Sequence, residues 1–106
     1  MATPTATVSV VYPAGAKFDM DYYIKTHMPL VQEKWAKFGL KSWKVGHYTN
    51  PEAPYVVQAW LEWEDPTQWG KATATPEAKL IFDDIPNFSD KSPVVLAGTI
   101  TGGASW

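Results

Sequence analysis

The sequence contains no cysteine, which removes disulfide scaffolds, thiolate metal sites, thiol nucleophiles and redox couples together. It also lacks an excess of charge of either sign: nine Lys and Arg stand against eleven Asp and Glu, a net charge of -2. No basic stripe is available for a phosphate backbone, so no nucleic-acid partner is expected. Apolar runs are only a few residues long, and Met1-Ala2-Thr3-Pro4 has no cationic region leading into an apolar stretch. Neither membrane attachment nor export is read, and a cytoplasmic location is expected. There is no glycine-rich phosphate loop and no Gly-x-Ser-x-Gly elbow. The two histidines, His27 and His47, have no carboxylate three or four residues away, so neither a metal nor another cofactor is expected. Oxygen and imidazole are what remain for chemistry.

What the chain does have is aromatic surface. Six Trp, five Tyr and four Phe in 106 residues provide more flat, amphipathic area than a small core needs, enough to serve an interface or a ligand as well. The length suits a single domain over residues 1–106, with the Thr/Ala-rich residues 1–6 as a loose leader. Thr7 to Tyr12 is β-branched and aromatic, and the turn residues Pro13-Ala14-Gly15-Ala16 close it as a first strand. From Asp19 the spacing changes. Met20, Tyr23, Ile24, His27, Val31, Trp35 and Phe38 recur at three- and four-residue steps, which predicts an amphipathic helix to about Lys37. Asp19 caps its start, Asp21 suits the dipole of the first turn, and Gly39 closes it in a left-handed conformation. Pro29 has no N–H for the Lys25 carbonyl, so a kink or break is expected close to His27.

Ser42 to Tyr48, the turn Thr49 to Pro54 and the strand Tyr55 to Glu64 read as a hairpin. In its second strand Tyr55, Val57, Ala59, Leu61 and Trp63 share one face, while Val56, Gln58, Trp60, Glu62 and Glu64 share the other. Trp60 on the mixed face implies that this side is covered too. Asp65-Pro66-Thr67-Gln68 begins a helix with a capping box, and Thr75-Pro76-Glu77 begins another after Gly70. Asp83 to Phe88 ends the helical region, and Val94 to Ile100 is the last strand. The order βαββαβ predicts an α+β fold of the ferredoxin-like kind, a four-stranded antiparallel sheet with helices on one face. The open sheet face would then pack against a second copy, giving a homodimer.

His27 is the most informative single residue, because it interrupts an apolar helix stripe one turn after Tyr23 and two residues before Pro29. A buried imidazole needs a partner. One reading is a core histidine satisfied by a backbone carbonyl. The other is a general acid/base between helix and sheet, kept neutral and proton-accepting by burial, with Tyr23 and Tyr12 orienting it or binding a developing oxyanion. Ile24, Val31, Trp63, Phe82 and Phe88 are the expected apolar walls of such a site. His47, on the parity of Trp43 and Val45, is a weaker candidate. Asp19 and Asp21 belong to the helix cap, and the adjacent Asp83 and Asp84 are expected to be solvated in their turn. The tryptophans Trp35, Trp43, Trp60, Trp63 and Trp69 read as core or interface, a few of them free to line a cavity for a flat apolar ligand.

Tyr12-Pro13 followed by Phe18-Asp19-Met20-Asp21-Tyr22-Tyr23-Ile24-Lys25-Thr26-His27-Met28-Pro29-Leu30-Val31 resembles the signature of the EthD family, named for a protein that accompanies ethyl tert-butyl ether degradation. Pro76-Glu77-Ala78 and Asp84-Ile85-Pro86-Asn87-Phe88-Ser89-Asp90 resemble its second helix and the loop into its last strand. The resemblance runs from about Tyr12 to Ile100 and implies a dimeric α+β barrel with a pocket between helices and sheet, in which the histidine matching His27 is the usual polar group. Relatives of that fold include polyketide decarboxylase-like proteins and cofactor-free monooxygenases, cyclases and isomerases. Two functions are therefore expected: a cofactor-independent enzyme acting on a hydrophobic, aromatic or polyketide-like oxygenated substrate, or a non-catalytic carrier or accessory protein that holds such a compound.

Overall fold

The computed structural model describes residues 4–106. Strand β1 (Ala6–Pro13) leads to helix α1 (Met20–Tyr22), a π-helical turn (Tyr23–His27) and helix α2 (Met28–Trp35), which form one uninterrupted helical run. Strands β2 (Leu40–His47) and β3 (Tyr55–Trp63) form the hairpin, helices α3 (Gln68–Thr73) and α4 (Pro76–Asp83) follow, and β4 (Val94–Thr99) completes the sheet. All pairings are antiparallel, in the order β2-β3-β1-β4. This is the ferredoxin-like α+β arrangement that the sequence predicts.

The strand alternation settles which face carries the core. Val8 and Tyr12 of β1 and Val57, Ala59, Leu61 and Trp63 of β3 are buried beneath the helices. From the helices, Tyr23, His27, Val31 and Trp35 meet them at four-residue steps, together with Ala78 and Ile81 of α4. Two aromatic clusters result. Tyr12, Phe18, Tyr23 and Phe88 pack edge to face at one end, and Trp35, Trp63 and Trp69 pack together at the other. On the opposite face Trp60 lies half-buried against Gly46, where a Cβ would come within 2.9 Å of its ring. Leu96 of β4 remains 58% exposed, and Val94 is exposed beside it.

Among the expected leader residues, Met1 to Thr3 lie outside the described residues, but Thr5 and Ala6 are tied to the sheet. Thr5 donates its N–H to Trp63 O and accepts from Ile100 N, and Ala6 is buried in β1. The distortion expected close to His27 is present, as a π turn over Tyr23–His27 rather than a break. The chain stays helical, and the Met28 N–H reaches back five residues to Tyr23 O, in a wider π turn. Proline still explains it: with no N–H at Pro29 the Lys25 carbonyl has no α-type donor, and a wider turn relieves the crowding of its ring.

The helix ends as its caps dictate. The Asp19 side chain accepts from Tyr22 N at 3.1 Å, and a short 3-10 turn (Ala36–Phe38) closes on Gly39 at φ 112°. The capping box at Asp65 is reciprocal: its carboxylate accepts from Thr67 N at 2.8 Å, and its own N–H donates to Gln68 Oε1 at 3.0 Å. Gln68 also lies against Gly39, where a Cβ would come within 2.1 Å of its side chain. Gly39→Ala would therefore combine backbone strain with displacement of a capping side chain. It is expected to lower stability by about 1–3 kcal/mol, measured by urea denaturation at equilibrium.

Candidate active site

The candidate site lies where the first helical run, the sheet centre and the segment after α4 converge. Two contacts bring that segment back to the helix start: Phe18 forms an isolated bridge with Ser89, and Asp19 donates its N–H to Phe88 O at 2.8 Å. Phe88 is thereby laid against the His27 ring, with centroids 4.5 Å apart, while Tyr23 stacks on His27 at 5.4 Å and 12°. Tyr12, from the central strand β1, meets Tyr23 edge to face at 5.8 Å. The imidazole is thus enclosed by aromatic surface and is only 4% exposed.

Its partner is a carboxylate. His27 Nδ1 lies 2.9 Å from Asp84 Oδ2, and Asp84 Oδ1 accepts from Tyr22 Oη at 2.6 Å and from Asn87 Nδ2 at 2.9 Å. This corrects the expectation for the Asp83–Asp84 pair. Asp83 is exposed and paired with Lys79 one turn back, but Asp84 is turned inward. Neighbouring residues on a helix point about 100° apart, so two adjacent carboxylates need not share an environment.

Burial of the His27 ring lowers its pKa and outweighs the attraction of Asp84, so the ring is neutral at pH 7. Burial would raise the pKa of Asp84, but the hydrogen bonds from Tyr22, Asn87 and His27 together hold it below the usual carboxylate value. Burial pushes both Tyr12 and Tyr23 well above the ordinary phenol value, and for Tyr12 the neighbouring Tyr23 adds to the rise. Both therefore remain O–H donors throughout the range in which proteins are stable.

Beside His27, Tyr12 and Tyr23 opens a cavity of about 30 Å³, room for about two water molecules. Its floor is Val10, Ala59 and Leu61 of the sheet, its helical wall includes Met28, Val31 and Trp35, and it is flanked by Phe82 of α4, Ile85 just after α4, Pro93 just before β4 and Val95 within it. Among the expected walls, Val31 and Phe82 line this cavity, and Phe88 instead backs the His27 ring. Ile24 does not reach it. It sits one residue past Tyr23, off the inward face, and is 36% exposed. Trp63 lies outside it too, fully buried at the far end of β3 against Trp35 and Trp69. His47 ends β2, is exposed, and borders an open groove with Tyr48 and Tyr55. Among the described residues no group of three or more His, Asp or Glu gathers as a metal site, and no helix is long and apolar enough to cross a membrane.

The depressed pKa of His27 has a definite sign in stability. Between its folded value and the ordinary 6.5, the unfolded chain binds the proton that the folded chain refuses, so stability rises with pH there. The contribution is complete above 6.5 and is lost as pH falls below it. Thermal denaturation is expected to show a falling melting temperature on acidification from about pH 6.5, and His27→Gln should flatten that segment of the profile.

No protein-family model matches the sequence, and no curated protein does either. Solved structures do match. An EthD-like protein from Ralstonia eutropha JMP134 superposes with a TM-score of 0.81 at 24% identity, covering 97% of each chain. An EthD family protein from Bacillus halodurans C-125 gives a TM-score of 0.68 at 18% identity, covering 93% of this chain and 100% of its own. A dimeric ferredoxin-like protein from Jannaschia sp. CCS1 gives 0.63 at 12% identity, covering 92% of this chain and 100% of its own. At these identities the likeness establishes the architecture, and this chain has the ferredoxin-like α+β fold found in the EthD-like proteins.

Proposed function

We propose that the chain is an EthD-type, cofactor-independent enzyme that performs acid/base chemistry on a hydrophobic, aromatic or polyketide-like oxygenated substrate. The observation that carries this reading is a neutral, buried imidazole at the wall of an otherwise apolar cavity, beside two phenols that stay protonated. His27 is the general base: its Nε2 takes a proton from a phenol or from a carbon next to a carbonyl, and the electron pair stays on the substrate as phenolate or enolate. Tyr12 and Tyr23 donate hydrogen bonds to the oxygen that gathers this charge. Proton transfer needs no cofactor. That anion closes a ring onto a carbonyl or reacts with dioxygen as co-reactant; where the proton is taken instead from a β-keto carboxyl group, loss of carbon dioxide leaves the electron pair as the enolate, and in each case the imidazolium returns its proton to the product.

The same cavity supports a second reading, because its walls are almost wholly apolar: a carrier needs only those walls, whereas a catalyst needs His27 to touch the ligand. His27→Asn separates the two. Turnover of an aromatic or polyketide substrate is expected to fall by about a hundredfold to ten-thousandfold, while affinity changes by less than about tenfold. A variant that turns over like the parent removes the acid/base role, and a parent that binds candidate compounds without converting any of them favours the carrier.

The working unit is proposed to be a homodimer formed through the outer sheet face that carries Trp60, Val94 and Leu96. Several structures of the same fold are described as dimeric, and the exposed Leu96 and Val94 here would be buried by such packing. Interfaces of this kind commonly bury on the order of 2,000 Å² and leave little folded monomer. Sedimentation is expected to show a dimer at micromolar concentration and a shift toward monomer for Leu96→Lys; a stable folded parent monomer would overturn it.

A further inference from the structure

We infer that Asp84 is the positioning residue of His27, a clamp that fixes the proton on Nδ1 and leaves Nε2 as the basic atom. The inference rests on the acid/base reading above and says which ring nitrogen acts and what determines it. An ionised carboxylate can only accept hydrogen bonds. At 2.9 Å from His27 Nδ1, Asp84 therefore requires a proton on that nitrogen, and in a neutral ring the lone pair is then on Nε2.

The carboxylate is itself held from three sides. Tyr22 Oη at 2.6 Å and Asn87 Nδ2 at 2.9 Å both donate to Oδ1, while Oδ2 is kept for the imidazole. Tyr22 and His27 come from the first helical run and Asn87 from the 3-10 turn (Ile85–Asn87) after α4, so the angle of the carboxylate is set by two separate stretches of backbone. The Asp84 side chain is only 12% exposed. A histidine kept merely for packing would be satisfied by one backbone carbonyl. Placing a charge there carries a desolvation cost that packing does not require, and it does what a carbonyl does less well: it stabilises the imidazolium that forms when Nε2 takes a proton. Asp84 touches no substrate in this scheme and acts only through the ring.

The test needs no substrate. Two-bond ¹H–¹⁵N correlation spectra of the full chain, recorded above the titration of His27, report which ring nitrogen bears the proton. The parent is expected to show a single Nδ1–H form. In Asp84→Asn the anionic acceptor is gone, so the ring should shift toward the Nε2–H form that free imidazole side chains prefer, and its titration midpoint should fall below that of the parent. Far-ultraviolet circular dichroism checks that the variant is folded. A parent ring carrying its proton on Nε2 would overturn the clamp, as would a folded Asp84→Asn with unchanged tautomer and midpoint. If Asp84→Asn does not fold, the parent spectrum decides alone. Because no turnover is measured, failure of the enzymatic reading leaves this result standing, and failure of the clamp leaves the His27→Asn comparison intact.

Discussion

An imidazole placed among aromatic rings must satisfy one nitrogen from the protein if the other is to be left for chemistry, and this requirement organises the rest of the site. Aromatic faces offer His27 no strong acceptor, so its Nδ1 needs an oxygen brought from elsewhere in the chain. That oxygen belongs to a residue 57 positions away in sequence. The segment after α4 therefore has to return to the start of the first helix. The Asp19 N–H to Phe88 O bond and the Phe18–Ser89 bridge hold it there, and Phe88 covers one side of the ring it helps to position.

The backbone on both sides of the ring serves the same arrangement. Steps of four along the helical run place Tyr23, His27, Val31 and Trp35 on one inward line. Pro29 perturbs that line only by widening one turn, because the chain can lengthen its hydrogen bonds to five-residue spacing more cheaply than it can give up the buried face. Across from the helix, the order β2-β3-β1-β4 makes β1 an interior strand, and period-2 alternation directs Val8, Val10 and Tyr12 toward the helices. Tyr12 reaches the site because β1 is paired on both edges and cannot shift register without turning these three residues outward.

Those periodicities are also what made much of the fold legible in the sequence. The strands, the Asp19 cap, the Gly39 stop and the divided second helical region are local patterns, and each leaves a signal within a few residues. His27 was legible for the same reason, as a polar interruption in an apolar stripe. Its pairing with Asp84 was not, since nothing local links a helix residue to a turn in the other half of the chain. One indirect signal existed: Lys79 lies four residues before Asp83 and can hold it in solvent, whereas Ile81, three residues before Asp84, is part of the inward face. Ile24 and Trp63 show the opposite failure. Both are apolar and near the site in sequence or on the right strand face, but helix angle removes one from the cavity and distance along β3 removes the other.

A cavity of about 30 Å³ has room for about two water molecules, so an aromatic ligand of the kind proposed would need its rim to move, and the rim is not held uniformly. Phe82 and Ile85 flank Asp84 on the same short stretch, so displacing their backbone pulls on three hydrogen bonds at once. Pro93 and Val95 lie before and within β4, an edge strand whose six residues are all exposed and whose ladder runs to β1 alone. On that side Val95 is 38% exposed, but the outer face of the same strand is the one proposed to pack in the dimer. The movement that leaves both that packing and the His27–Asp84 bond as they are is rotation of the exposed Phe82 side chain. A firmly held imidazole beside a wall that can yield follows from which residues carry the hydrogen bonds and which carry only apolar contact.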